Sequence, residues 1–128
     1  MLIGGAALAG PAGQSGRQAN GAPIGPLATV TFTTTTITPT KSGTFMVWGN
    51  LAANASGVSS QTGTLLLDGA TVLDTQITGT GAAGPFSMSF LGFVTVSFAA
   101  HTFAVQSVAS AGTNTIPTGE AAIMFLEL

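Results

Sequence analysis

Charge is what this chain lacks most. Arg17, Lys41, Asp68, Asp74, Glu120 and Glu127 are its only formally charged side chains, and His101 is its only histidine. A free-standing soluble domain carries charge on about a quarter of its residues; here the share is 5%. The expectation is a surface that meets other protein over much of its area. Acid–base catalysis, carboxylate or imidazole metal ligation and phosphate capture all draw on these scarce residue types. The reading is therefore non-enzymatic, with no cofactor and no metal. A net charge of −2 also argues against nucleic acid or an anionic membrane as partner.

Other absences narrow the field further. Without cysteine there is no disulfide framework and no thiolate chemistry, and the redox compartment stays undecided. No run is long and apolar enough to span a bilayer as a helix, so no membrane insertion is expected. Ala7-Leu8-Ala9 faintly resembles a signal-peptidase site, but no basic segment precedes it, and Gly4 and Gly5 break the apolar run. A secretory signal is not expected.

What is present divides at residue 27. Residues 1–27 are rich in glycine and proline and show neither helical nor strand periodicity. Their larger apolar side chains are few: Leu2, Ile3, Leu8, Ile24 and Leu27. Such a segment cannot bury enough surface to offset its ordering entropy alone. It reads as an extended anchoring arm of up to about 90 Å. Its apolar side chains and Arg17, its one charge, are the candidate partner-binding residues.

From residue 28 the period is two. Val30, Phe32, Thr34 and Thr36 alternate with threonines up to Pro39; Phe45, Val47, Gly49 and Leu51 alternate with Met46, Trp48 and Asn50. Asp68-Gly69 between two apolar runs is the strongest local signal and suits a type I′ hairpin. Phe86, Met88 and Phe90 alternate with serines, residues 93–98 and 101–108 follow, and Ala121, Ile123, Phe125 and Glu127 close the chain. About eight strands with regularly spaced turns indicate an all-β antiparallel sandwich or barrel over residues 28–128. Phe32, Phe45, Val47, Leu51, Leu66, Phe90, Val96, Phe103, Val105, Ile123 and Phe125 are assigned to its core or to a subunit interface. Trp48 is assigned to the same group, because an aromatic within an alternating strand buries large area.

Motifs for chemistry do not survive scrutiny. Gly79-Thr80-Gly81-Ala82-Ala83-Gly84 spells GxGxxG, but Pro85 and an alternating strand follow where a dinucleotide fold needs a helix. Asn54-Ala55-Ser56 is a chance-level glycosylation sequon. His101 has no histidine partner within one subunit and reads as a structural hydrogen-bonder. Ser-His-Asp catalysis is open on inventory alone, without a nucleophile elbow.

Two segments carry a resemblance. Lys41-Ser42-Gly43-Thr44-Phe45-Met46-Val47-Trp48-Gly49-Asn50 is similar to a strand of tumour-necrosis-factor/C1q-like jelly rolls. Ala100-His101-Thr102-Phe103-Ala104-Val105-Gln106 and the terminal Ala122-Ile123-Met124-Phe125-Leu126-Glu127-Leu128 resemble the last strands of such domains in tailed-phage virion proteins. The resemblance covers residues 28–128 and implies an all-β antiparallel jelly-roll sandwich, assembled as a homotrimer and located in a virion assembled in the host cytoplasm. The role it implies is head decoration, cement or spike, held to the major capsid or other virion proteins by the arm. The alternative is a tail-fibre or receptor-binding module touching a host-surface glycan through its loops, where Asn54, Gln61 and Asn114 supply amides.

Overall fold

The computed structural model describes residues 12–80 and 83–128, and within them every regular element is a β-strand. The strands are β1 (Ser15–Ala19), β2 (Ile24–Leu27), β3 (Thr29–Thr33), β4 (Thr44–Ala55), β5 (Ser59–Leu67), β6 (Thr71–Thr80), β7 (Gly84–Thr95), β8 (Phe103–Ala109), β9 (Asn114–Ile116) and β10 (Ala121–Glu127). They form the expected antiparallel jelly-roll sandwich. In the first sheet, A, β4 pairs with β7 along its whole length. Its other side is shared, β10 taking residues 45–51 and β9 taking Asn54 and Ala55. β1 extends the sheet beyond β10, and β2 extends it beyond β9. The second sheet, B, runs β3-β8-β5-β6.

The period-2 pattern decides what lies between the sheets. On β4 the inward residues are Phe45, Val47, Gly49, Leu51, Ala53 and Ala55, all buried. They meet Leu65, Phe103 and Val105 from sheet B, and Phe45, Phe103 and Phe125 form a ring cluster with centroids 5.7–6.4 Å apart. Two glycines let the sheets close. A Cβ on Gly49 would lie 2.6 Å from Val105, and one on Gly63 would lie 2.5 Å from the Met88 sulfur. The β5–β6 turn follows its sequence: Asp68 and Gly69 have φ of 53° and 72°, the positive pair that a type I′ turn demands.

The arm boundary at residue 27 needs correction. Residues 15–19 and 24–27 are strands of the chain's own sheet A rather than a free arm. Edge pairing runs through backbone N–H and C=O groups, so it needs no side-chain periodicity. Gly16 also lies flat against Phe125, where a Cβ would come within 3.0 Å of the ring. Leu2, Ile3 and Leu8 lie outside the described residues.

Smaller boundaries move for similar reasons. Among the described residues there are ten strands rather than eight: β1, β2 and β9 are added, and β7, unbroken to Thr95, merges two strands that were read apart. β3 stops at Thr33, and Ile37 then bridges to His101. Of the assigned core, Phe32 and Val96 are only partly buried against it, and Trp48 is not in it.

Candidate functional site

Three arrangements concentrate the chain's scarce polar chemistry and its unburied apolar surface. The first is a clasp around Glu127. This residue is in phase with Ile123 and Phe125, so β10 turns it inward, and it is only 3% exposed. Its Oε1 accepts the backbone N–H groups of Gln14 and Thr40, each at 3.0 Å; its Oε2 accepts those of Lys41 at 2.9 Å and Gly43 at 2.8 Å. Burial alone would raise the carboxyl pKa. The four backbone donors overcome that and bring it from 4.5 to about 2. One carboxylate thereby ties the start of β1, the 40–43 turn and the last strand together. The sequence signal was present but unread: a charged residue on the apolar face of a strand.

The second gathers Asp68, Ser97 and His101. Nδ1 of His101 lies 2.7 Å from Asp68 Oδ2, and Nε2 lies 3.0 Å from the Ser97 carbonyl and 3.2 Å from its hydroxyl. The three residue types of a hydrolytic triad are thus together, though the sequence offered them only as inventory. In the protonated ring Nδ1–H donates to the Asp68 carboxylate and Nε2–H to the Ser97 carbonyl, and no lone pair is left for that chemistry. The Asp68 hydrogen bond raises the His101 pKa above 6.5 against burial. Burial pushes Asp68 up, but the His101 and Thr102 hydrogen bonds outweigh it and leave the pKa below 3.8. A general base needs a free lone pair facing the serine hydroxyl. Here the ring pins the β5–β6 turn to the segment before β8.

The third is the outer face of sheet A. Register places Leu126, Met46 and Phe93 in one row across β10, β4 and β7, and Met124, Trp48 and Leu91 in the next. Phe93 is 61% exposed and Leu91 47%; Trp48 and Met46 are half-buried by their neighbours. Arg17 on β1 ends the Met124–Trp48–Leu91 row. The face then changes character, to Ala122, Asn50 and Ser89, then Ala52 and Ser87, then Asn54 and Pro85. At that end lies an open cleft of about 240 Å³ lined by Ala52, Ala53, Asn54, Pro85, Pro117 and Glu120. The sequence reading expected apolar residues on both faces of the strands as a subunit contact, and of this grid it named Trp48. In β4, β7 and β10 both alternations carry large apolar residues.

The structure separates the residues that the sequence grouped. Phe45, Phe90, Phe103 and Phe125 lie in the core, and Trp48 lies on the outer face. Arg17 and Leu27 are exposed, and Ile24 packs partly against the core. Of the amides offered for glycan contact, Gln61 and Asn114 are fully buried, leaving Asn54. Both were assigned to loops, but each begins or lines a strand whose inward phase it shares.

No protein-family model matches the chain, and no curated protein matches it. Solved structures do. Dimeric latent PorU from Porphyromonas gingivalis aligns over 90% of this chain with a TM-score of 0.54 at 9% identity, the chain spanning 12% of PorU's length. TmCBM61 in complex with β-1,4-galactotriose aligns over 89% of the chain and 70% of its own, with a TM-score of 0.41 and 8% identity. The Macrobrachium rosenbergii extra small virus particle protein aligns over 93% and 81%, with a TM-score of 0.37 and 11% identity. At these identities the likeness concerns the fold alone.

Proposed function

We propose that this chain is a non-enzymatic jelly-roll module that works by surface contact, as a structural component of a virion. In this reading it is a head-decoration, cement or spike protein, assembled as a homotrimer and held to capsid protein with the help of residues 1–11. One observation carries it: six large apolar side chains stand in a grid of two rows on three strands, facing out of the sandwich. Contiguous exposed apolar surface marks a contact with another molecule, whereas scattered apolar side chains need no explanation. With 5% of its residues charged, the chain has little else with which to keep that patch solvated. The sequence resemblance to phage virion proteins supports the setting.

Light scattering of the full chain at micromolar concentration tests the assembly. A trimer mass is expected, and a stable monomer would overturn it. Deleting residues 1–11, which leaves β1 and its clasp in place, tests the anchor; wild-type occupancy on the particle after deletion would end that part of the reading.

A second reading, a fibre-tip or receptor-binding module that touches a host glycan, is favoured by the other half of the same face. There the side chains become small, uncharged and hydroxyl- or amide-bearing, and they lead into the cleft beside Asn54 and Glu120.

A further inference from the structure

We infer that the cleft between Asn54, Pro85, Pro117 and Glu120 is a subsite for one ring of a neutral saccharide. The inference rests on the glycan reading and gives it a location on the sheet face rather than in the loops. At about 240 Å³ the cleft is below the usual size for a drug-sized ligand and suits a single sugar ring.

Its lining divides into the two kinds of group that a pyranose needs. Pro85 and Pro117 offer ring carbons to the apolar C–H face, above a floor formed by Ala52 and the backbone of Ala53. Asn54 offers an amide that donates and accepts, and Glu120 a carboxylate that accepts two hydroxyls at once. Among the described residues, neither the Asn54 amide nor the Glu120 carboxylate is engaged by another side chain or by backbone. Both polar groups are thus free to exchange water for ligand hydroxyls.

The wall is fixed before any ligand arrives. Asn20 is buried; its Nδ2 donates to the Pro117 carbonyl at 2.9 Å, and its own carbonyl accepts the Gly119 N–H at 2.9 Å. The Ala52 N–H donates to the Glu120 carbonyl at 2.8 Å, pinning the other side of the turn to β4. Such preorganisation lowers the ordering cost of a weak ligand. Ligand charge follows from the lining: it contains a carboxylate and no cation, so acidic sugars and phosphates are repelled. The row Asn50–Ser89 and the neighbouring Ser87 continue the polar track along β4 and β7. A chain of sugars lying on the sheet would meet hydroxyls and amides in that direction.

The test is an NMR titration of the ¹⁵N-labelled full chain with cellohexaose, xylohexaose, mannohexaose and maltohexaose in turn, and with an oligogalacturonate for comparison. At about 10 mM, at least one neutral oligosaccharide should shift the signals of Ala52, Asn54 and Glu120, and the oligogalacturonate should not. Glu120→Gln and Asn54→Ala should each weaken that binding about tenfold. Ile77→Lys, on the other sheet, should leave it unchanged. If a saccharide shifts signals only elsewhere, the site is wrong while the glycan reading stands. If none shifts any signal, both fall. Light scattering on the same samples reports subunit contact independently.

Discussion

The outer faces of the two sheets are built from the same strand geometry and end in opposite surfaces. On sheet B, register gives rows Thr29–Val108–Thr62–Ile77 and Thr31–Gln106–Thr64–Thr75. In these rows Thr62 separates Val108 from Ile77, and Gln106 donates across to the Thr31 hydroxyl at 3.1 Å. On sheet A the apolar side chains adjoin one another in both directions. Exposure alone does not separate the faces, since Ile77 on sheet B is 73% exposed and Phe93 on sheet A 61%. Contiguity does. An isolated apolar side chain is ordinary on a protein surface, whereas a grid of six implies a partner. The contrast teaches that threonines space out apolar side chains in these rows of one face, while on the other the apolar side chains adjoin, and the proposed contact rests on that difference.

Charge placed on either face is the sharpest way to break that comparison. Phe93→Asp on sheet A should weaken self-association at least about a hundredfold, near 3 kcal/mol, because a buried unpaired carboxylate would face the partner's apolar rows. Ile77→Lys on sheet B should change neither association nor stability by more than about 0.5 kcal/mol. Sedimentation over a concentration series, with circular dichroism to confirm the fold, reads both. Equal effects from the two substitutions would remove the distinction between the faces.

The sheets also differ in how they are fastened. Sheet A closes at the buried Glu127 clasp, sheet B at the more exposed Asp68–His101 pair. Glu127→Gln keeps the shape but replaces an acceptor-only carboxylate with an amide whose NH₂ must face N–H donors. The melting temperature should fall by about 10 °C or more. The direction with pH follows from the lowered pKa. Wild-type stability from this group is fully present above 4.5 and is lost as pH falls toward about 2, while the Gln variant lacks that dependence. A variant that melts like wild type at pH 7 would show the clasp to be incidental.

Much of the sandwich was legible because burial enforces a period of two wherever one face is dry. Phe45, Val47 and Leu51 announced β4, and Asp68-Gly69 announced the hairpin. β1, β2 and β9 were illegible for a definite reason. They are short, lie toward the edge of the sheet, and depend on backbone pairing and close approach, as at Gly16, rather than on an alternating pattern. The candidate surface was half legible. Met46, Trp48, Leu91, Phe93, Met124 and Leu126 could be read as apolar, but the adjacency that gives them meaning comes from inter-strand register. Asn54 was singled out with two other amides, and only folding could show Gln61 and Asn114 turned inward. Glu120 drew no attention because its partner residues in the cleft come from three separate stretches of chain.

The smallest expected effect belongs to the fastening of sheet B, and it has a distinctive pH signature. His101 is the only histidine of this protein, the residue type whose charge changes near neutral pH. Its folded pKa lies above 6.5, so its contribution is complete below 6.5 and disappears as pH rises through the folded value. Asp68 runs the other way: its folded pKa lies below 3.8, and its contribution is complete above 3.8 and lost as pH falls through the folded value. The pair therefore stabilises most between about pH 4 and 6.5. Asp68 is 47% exposed, so solvent screening limits the gain to about 1 kcal/mol or less. Urea titrations at pH 5.5 and 8.5 should show wild type losing that amount on going to the higher pH. His101→Asn should have the same midpoint at both, since the amide keeps a polar contact but does not ionise. Wild type equally stable at both pH values would mean that folding leaves the His101 pKa at its unfolded value, so that the Asp68 contact contributes nothing. Wild type more stable at pH 8.5 would mean that the folded imidazole is neutral, and its arrangement with Ser97 would then have to be reconsidered as a working base.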